Sequence, residues 1–100
     1  MIKHIVMWKV QEMDGSSKIE SARQIKSELE ALNGQIKGLL RLEVGIDFLK
    51  SDSSYDVVLY SEFESKEALD DYQNHPLHVQ VATHTIKPVV TSRIVVDYEV

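Results

Sequence analysis

Periodic hydrophobic patterns along this 100-residue chain predict an α+β fold. Apolar and polar residues alternate in four segments, which is typical of strands. Between these segments apolar residues recur every three or four positions, which is typical of helices. The resulting order, β-α-β-β-α-β, predicts a ferredoxin-like antiparallel sheet with its helices on one face. Because 100 residues is the size of one domain, we expect residues 1–100 to fold as a single unit.

The opening third of the chain indicates the first strand and the first helix. In the segment MIKHIVMWKV, a period of two assigns one strand face to Ile2, His4, Val6, Trp8 and Val10. Ser17 and Glu20 then have the spacing of a helix-capping box. The helix that follows has an apolar stripe ending near Asn33 and Gly34, formed by Ile19, Ala22, Ile25 or Lys26, Leu29 and Leu32.

A hairpin is predicted in the middle of the chain. From Leu39 to Leu49 the alternation returns, with one face formed by Leu40, Leu42, Val44, Ile46 and Phe48. The polar segment KSDSS follows as a turn, and the next segment, YDVVLYSEF, is rich in β-branched and aromatic residues. We therefore expect the second and third strands to pair.

The second helical region is predicted to be split at a proline. The helix of SKEALDDYQN should end at His75, because the residue before a proline disfavours the helical conformation. Pro76 suits the first turn of a further helix, where its missing N–H costs nothing, and this helix is expected to continue to Pro88. The final segment, TSRIVVDYEV, alternates again and predicts the fourth strand.

The sheet face away from the helices is expected to pack against a second copy of the chain. We assign to this face the apolar residues Ile5, Met7, Val58, Tyr60 and Val95. A large apolar patch is rarely left exposed in a small protein, and short chains bury a smaller fraction of their surface than long ones. The pattern therefore predicts a homodimer.

Composition and charge restrict the partners and the compartment. Sixteen acidic and eleven basic residues give a net charge of -5, which does not favour nucleic acid or an anionic membrane as a partner. Lys3 and His4 interrupt the first apolar segment, unlike a secretory signal, and no stretch approaches the ~20 apolar residues of a membrane span. The expected location is cytoplasmic. The absence of cysteine excludes thiolate catalysis and sulfur-based zinc sites.

Three of the four histidines lie in the segment YQNHPLHVQVATHTIKP, from Tyr72 to Pro88. At about 100° per residue, a helix separates His75 from His78 by about 60° and turns His84 about 120° away from His78. This rotation excludes three histidine ligands on one helix face, and the H-E-x-x-H pattern of many zinc sites is missing. We predict no metal site and no cofactor.

A cavity between the helices and the sheet is expected, lined by His4, His75, Trp8 and Ala82. His78 borders the helix face of Val79, Ala82, Ile86 and Val89, so its ring should point toward this space, and Tyr72 should point there too. His78 is then either a buried, hydrogen-bonded core residue or a proton-transfer group with an ordinary pKa of about 6.5. For His75, the alternative is a ring that satisfies backbone groups at a helix end.

Three segments of the chain resemble the stress-responsive A/B barrel domain, a family of dimeric α+β barrels: MIKHIVMWKV, DVVLYSEFESKEALDDYQNHPLHVQV and RIVVDYEV. The most specific piece is the Tyr-x-x-His-Pro-x-His run from Tyr72 to His78, and the resemblance covers essentially the whole chain. It implies a ferredoxin-like protomer whose sheet packs against that of a second copy. Many bacterial members have no assigned activity, whereas plant members include stress-induced proteins and polyketide cyclases.

The resemblance to the cyclases implies roles for two residues. In those enzymes the tyrosine and the second histidine of the run transfer protons in the aldol condensation of a linear poly-β-ketone. Carried over, His78 would be the general base and Tyr72 would hold or protonate the substrate oxygen. The cyclases have a further histidine early in the third strand, where this chain has Val57. Two functions stay open: a stress-related dimeric protein without a defined activity, and a cofactor-free cyclase or lyase acting on a small-molecule ligand.

Overall fold

The predicted strands pair into one antiparallel sheet in the computed structural model, which describes residues 1–13 and 15–100. Within this part of the chain the strands are β1 (Ile2–Val10), β2 (Leu39–Ile46), β3 (Val57–Phe63) and β4 (Val90–Glu99). Their order in the sheet is β2-β3-β1-β4, and all neighbours are antiparallel. The helices are α1 (Lys18–Glu30), α2 (Lys66–Asn74) and α3 (Pro76–Val81), followed by a π-helical segment (Ala82–Ile86). The ferredoxin-like fold is confirmed.

Short-range signals set the helix boundaries. Ser17 caps α1, since its hydroxyl accepts a hydrogen bond from the backbone N–H of Glu20 (3.3 Å) and donates one to the Glu20 carboxylate (3.0 Å). Ser65 caps α2 by accepting from the N–H of Ala68 (3.1 Å). His75 has an extended backbone and separates α2 from α3, which begins at Pro76. Among the described helices, none is long and apolar enough to cross a membrane.

Two positions on β2 differ from the predicted face. Leu40 is exposed because the pairing of β2 with β3 shifts register between Leu39 and Arg41, which gives the strand an additional residue. Phe48 is 91% exposed because β2 ends at Ile46, before the alternation of the sequence ends. Leu42 and Val44 are buried under α1 as expected.

The helix face around His78 also differs from the prediction. Val79 is 43% exposed, and Val81 is buried in its place, together with Ile86 and Val89. The cause is the π-helical segment, in which the N–H of Lys87 bonds the carbonyl of Ala82 (2.9 Å), five residues earlier. The wider turn changes the rotation between the residues before it and those after it, so a uniform 100° step places Val79, instead of Val81, on the face of Ile86.

The assignment of Val95 to the free face of the sheet was wrong. Val95 pairs with Val6, whose side chain is buried on the helix side, and directly paired residues of antiparallel strands point to the same face. The free face is instead formed on β4 by Ile94, Val96 and Tyr98, which pair with Met7, Ile5 and Lys3. Ile5, Met7, Val58 and Tyr60 lie on the free face as predicted.

Candidate active site

A cavity of about 530 Å³ lies between the helix-facing side of β1 and β4 and the helical region from α2 to the π-helical segment. Its apolar lining includes Val6, Trp8, Leu59 and Ile86, and its polar lining includes His4, Gln73, His78 and Arg93. This volume lies within the range of about 300 to 1,000 Å³ that is usual for small-ligand pockets. An apolar cavity with a few converging polar groups is the usual form of a ligand site.

The cavity forms where the helical layer leaves part of the sheet uncovered. β4 is an edge strand, and its helix-side residues Arg93, Val95 and Asp97 are exposed. The break at Pro76 and the π-helical segment interrupt the helical region that runs beside this strand. An edge strand flanked by an interrupted helix therefore leaves a space above β1.

His78 lies in the first turns of α3, with its ring in the cavity lining. Its Nδ1 is 3.2 Å from the backbone carbonyl of Gln73. Because a carbonyl only accepts hydrogen bonds, Nδ1 must carry the proton, and in the neutral ring Nε2 carries the lone pair. Burial is the largest effect on the pKa of His78 and lowers it. The hydrogen bond to Gln73 raises this pKa by a smaller amount, and the nearby positive charge of Arg93 lowers it further. The ring is therefore a neutral base at neutral pH.

Tyr72 lies in α2 directly beneath the His78 ring. The two ring centroids are 4.3 Å apart, and the Phe63 ring lies 4.9 Å from Tyr72 on another side. The Tyr72 side chain is completely buried, and its hydroxyl has no hydrogen-bond partner among the residues that the structure describes. Burial raises the pKa of Tyr72, so the phenol keeps its proton. It is a donor without an acceptor, which is uncommon in a folded core.

His4 forms the third polar group at this position. It is 3% exposed, and its Nδ1 pairs with the carboxylate of Asp97 on the neighbouring strand β4. Its backbone carbonyl accepts a hydrogen bond from the hydroxyl of the buried Ser61 (2.9 Å). The His4 and Tyr72 ring centroids are 6.5 Å apart. The pairing with Asp97 fixes the ring so that Nε2 is the nitrogen free to meet a ligand.

The structure brings together most of the residues predicted for the cavity. His4, Trp8, His78 and Ala82 line it. His75 does not, because its Nδ1 accepts a hydrogen bond from the N–H of Leu77 (3.1 Å) and caps α3.

The Tyr72 ring also lies outside the lining, beneath His78. His84 is exposed on another surface, beside Leu77 and Val81. Among the described residues, no group of three or more His, Asp or Glu side chains is arranged to hold a metal ion.

Sequence reasoning did not single out several polar residues of the site, among them Gln73, Lys87, Arg93 and Asp97. The first three line the cavity, and Asp97 orients His4. The signal that identifies two of them is strand register. Once β1 and β4 are paired, Arg93 lies opposite Trp8 and Asp97 lies opposite His4, all on the helix side.

Comparison with known proteins agrees with this fold. The sequence profile of the stress-responsive A/B barrel domain matches residues 2–100. The chain is 31% identical over 99 residues to a stress-response A/B barrel domain-containing protein of Arabidopsis thaliana, covering 98% of this chain. It spans only 36% of the length of that relative.

Two solved structures extend the comparison. A dimeric protein of unknown function with a ferredoxin-like fold from Bacteroides fragilis has 31% identity and a TM-score of 0.84, covering 99% of this chain and 95% of its own. The hydroxynitrile lyase of Passiflora edulis has 17% identity and a TM-score of 0.78, covering 99% and 92%. The second likeness is one of fold alone.

Proposed function

Since this chain belongs to the stress-responsive A/B barrel domain family, we propose that it is a homodimeric, cofactor-free enzyme that transfers protons on a small carbonyl ligand, with His78 as the general base. The observation that carries the proposal is the His78 ring itself. Its Nδ1–H is held by the Gln73 carbonyl, so the lone pair of Nε2 is available at a cavity large enough for a ligand. A general base needs this combination of geometry and neutral charge.

The chemistry that suits this base is removal of a proton from carbon. A C–H bond between two carbonyl groups is acidic enough for a neutral imidazole to remove its proton when the two are within hydrogen-bond reach. The carbanion then attacks the carbon of a further carbonyl group of the same molecule, and the oxygen of that group takes up the proton from His78, which completes the aldol step of a cyclase acting on a poly-β-ketone. The apolar walls formed by Val6, Trp8 and Leu59 suit the carbon skeleton of such a ligand.

Tyr72 is the proposed donor to the enolate oxygen. Its phenol is protonated and has no acceptor among the described residues, which is the state needed to stabilise negative charge that develops on a ligand oxygen. Because the Tyr72 side chain is completely buried and its ring packs against the His78 ring, contact of its hydroxyl with a ligand requires the neighbouring side chains to move. Binding and exposure of the donor are therefore coupled in this proposal.

The homodimer is proposed to form through the free face of the sheet. This face carries partly or largely exposed apolar and aromatic side chains: Ile5, Met7, Val58, Tyr60, Ile94, Val96 and Tyr98. The Bacteroides fragilis relative is described as dimeric. Light scattering should report twice the 11.4 kDa chain mass at micromolar concentration, and a compact monomer would contradict the proposal.

A non-catalytic, stress-related cytoplasmic protein is the second candidate. The complete burial of Tyr72 favours it, because an aromatic ring packed between Phe63 and His78 is also an ordinary core residue. In this case His78 serves mainly to cover Tyr72, and the cavity is a by-product of the uncovered edge strand.

Hydrogen–deuterium exchange separates the two candidates. Proton NMR would follow exchange at the carbon between the carbonyls of a medium-chain 1,3-diketone in deuterated buffer. The wild type should exceed the buffer rate, and His78→Ala should lose about 100-fold or more of this acceleration. His84→Ala, which removes an exposed histidine outside the cavity, is the matched control and should keep it. A wild type that does not exceed the buffer rate would favour the non-catalytic candidate.

A further inference from the structure

The cavity concentrates positive charge in a chain whose net charge is -5. Arg93 and Lys87 are both in its lining. Among the described residues, no carboxylate is part of that lining. A cavity that excludes acidic side chains in an acidic protein is complementary to a negatively charged ligand.

Arg93 is the best placed of these cations. It lies on the helix side of β4 opposite Trp8, is exposed, and has no ion pair with a carboxylate in the part of the chain that the structure describes. The nearest carboxylate on the same face of β4 belongs to Asp97. It is four residues along the strand, so the backbone positions of Arg93 and Asp97 are about 13 Å apart. Asp97 is already paired with His4. The guanidinium of Arg93 is thus free to bind a ligand.

The rest of the lining indicates which chemical group the ligand carries besides its negative charge. Val6, Trp8 and Leu59 form an apolar wall beside Arg93. A guanidinium presents two parallel N–H donors that match a carboxylate, and an apolar wall favours a hydrocarbon chain. The volume of about 530 Å³ suits one small molecule of this type.

We propose that the cavity selects a small carboxylic acid with an apolar chain, whose carboxylate binds Arg93 and whose chain packs against Val6, Trp8 and Leu59. The inference rests on the proposed function, since it takes this cavity as the ligand site, and it narrows the substrate class to keto acids. With the carboxylate held by Arg93, the carbonyl carbons further along the chain extend toward His78 on the opposite wall. Arg93 then acts as a specificity residue that orients the ligand.

Binding of simple probes tests this charge selection without any turnover. Trp8 is the single tryptophan of the chain and lines the cavity, so its fluorescence reports occupancy. Octanoate, octan-1-ol and octylamine have the same apolar chain with negative, neutral and positive head groups. We expect octanoate to bind about three- to tenfold more tightly than octanol, since the charge-assisted bond is partly screened by solvent, and octylamine to bind most weakly.

Variants of Arg93 test whether this side chain causes the preference for octanoate over octanol. Arg93→Gln should remove the advantage of octanoate over octanol, and Arg93→Lys should retain part of it because the charge remains. Arg23→Gln removes an exposed arginine of α1 that lies outside the cavity, and should leave all three affinities unchanged. Thermal melts of each variant would check that folding is intact.

The outcomes separate this inference from the proposed function. Equal binding of octanoate and octanol, or an octanoate affinity unaffected by Arg93→Gln in a folded protein, would overturn the charge selection. Failure of all probes to bind would overturn the charge selection, whereas the proposed function would still be decided by the diketone exchange assay. Selective octanoate binding that depends on Arg93, in a protein that does not accelerate exchange of the diketone, would support the inference and contradict the proton-transfer chemistry.

Discussion

The two halves of the helix–sheet interface are built differently on one face of one sheet. Under α1, the sheet is sealed by apolar side chains, and Ile25 at the centre of this half is completely buried. Under α3 and the π-helical segment, the sheet carries His4 and Trp8 and faces a cavity. One half therefore contains the continuous apolar packing that stabilises a fold, and the other contains open space and polar groups.

The difference shows where the fold tolerates a site. α1 is a continuous helix of 13 residues with a serine cap, whereas the second helical region is broken at Pro76 and ends in a π-helical segment. π-helical turns are uncommon and are often found at functional sites. The broken helix and the edge strand together leave room for a ligand, and the sealed half supplies the stability that makes this possible.

The largest effect on stability is expected in the sealed half. Ile25→Ala removes a completely buried side chain and should lower the free energy of unfolding by about 2 to 5 kcal/mol. Val95→Ala, at a 41% exposed position on the helix side of β4, should cost less than about 0.5 kcal/mol. Urea denaturation of both variants checks the comparison, and similar losses would mean that the two halves are packed alike.

An intermediate effect is expected from the pair beneath the cavity. Asp97→Ala removes the acceptor for Nδ1 of the buried His4 and should cost about 1 to 3 kcal/mol, because a buried donor is left without its partner. Glu99→Ala, two residues along the same exposed strand, is the control and should change the denaturation midpoint little. If the Asp97 and Glu99 variants are equally stable, the His4–Asp97 pair does not hold this half together.

A smaller, pH-dependent effect is expected from His78. Because burial lowers the pKa of His78 in the folded state, the unfolded chain binds a proton more readily. The stability that the neutral ring provides is therefore fully present above its ordinary pKa of about 6.5 and is lost as pH falls through the lower folded value. Denaturation curves of wild type and His78→Gln should converge on acidification. A constant difference across this range would contradict a lowered pKa.

The smallest effect on stability is expected from removing the proposed base. His78→Ala should lower the free energy of unfolding by less than about 1 kcal/mol, since its one hydrogen bond is to an exposed backbone carbonyl and the ring borders a cavity. Scattering should report the same molecular mass as for the wild type. A loss of about 1 to 3 kcal/mol would instead identify His78 as a structural residue that covers Tyr72.

Local sequence patterns predicted the helices and strands of this fold better than they predicted the residues of the candidate site. The Ser17 cap, the stop at His75 and the start at Pro76 depend on neighbouring residues, and each lies where the sequence indicated. Alternation separates Val95 from Ile94, but only pairing with β1 decides which of them faces the helices.

The residues that sequence reasoning missed at the site also depend on contacts that local patterns do not show. Arg93 and Asp97 join the site through pairing with residues more than 80 positions earlier in the chain, which no local period reveals. The exposure of Val79 follows from a π-helical turn that helical periodicity does not anticipate. The Tyr72 to His78 motif lies at the cavity, and its proposed catalytic role stays a prediction.

The tautomer and pKa of His78 decide most directly whether its ring can act as the base of this cavity. Long-range nitrogen–proton NMR spectra of the protein, with His78→Gln to assign the signals, distinguish a protonated Nδ1 from a protonated Nε2 across a pH titration. We expect a neutral ring at pH 7 with its proton on Nδ1, bonded to the Gln73 carbonyl, and a pKa below the ordinary value of about 6.5. A neutral ring with its proton on Nε2, or a pKa at or above that value, would contradict His78 as the base of this cavity.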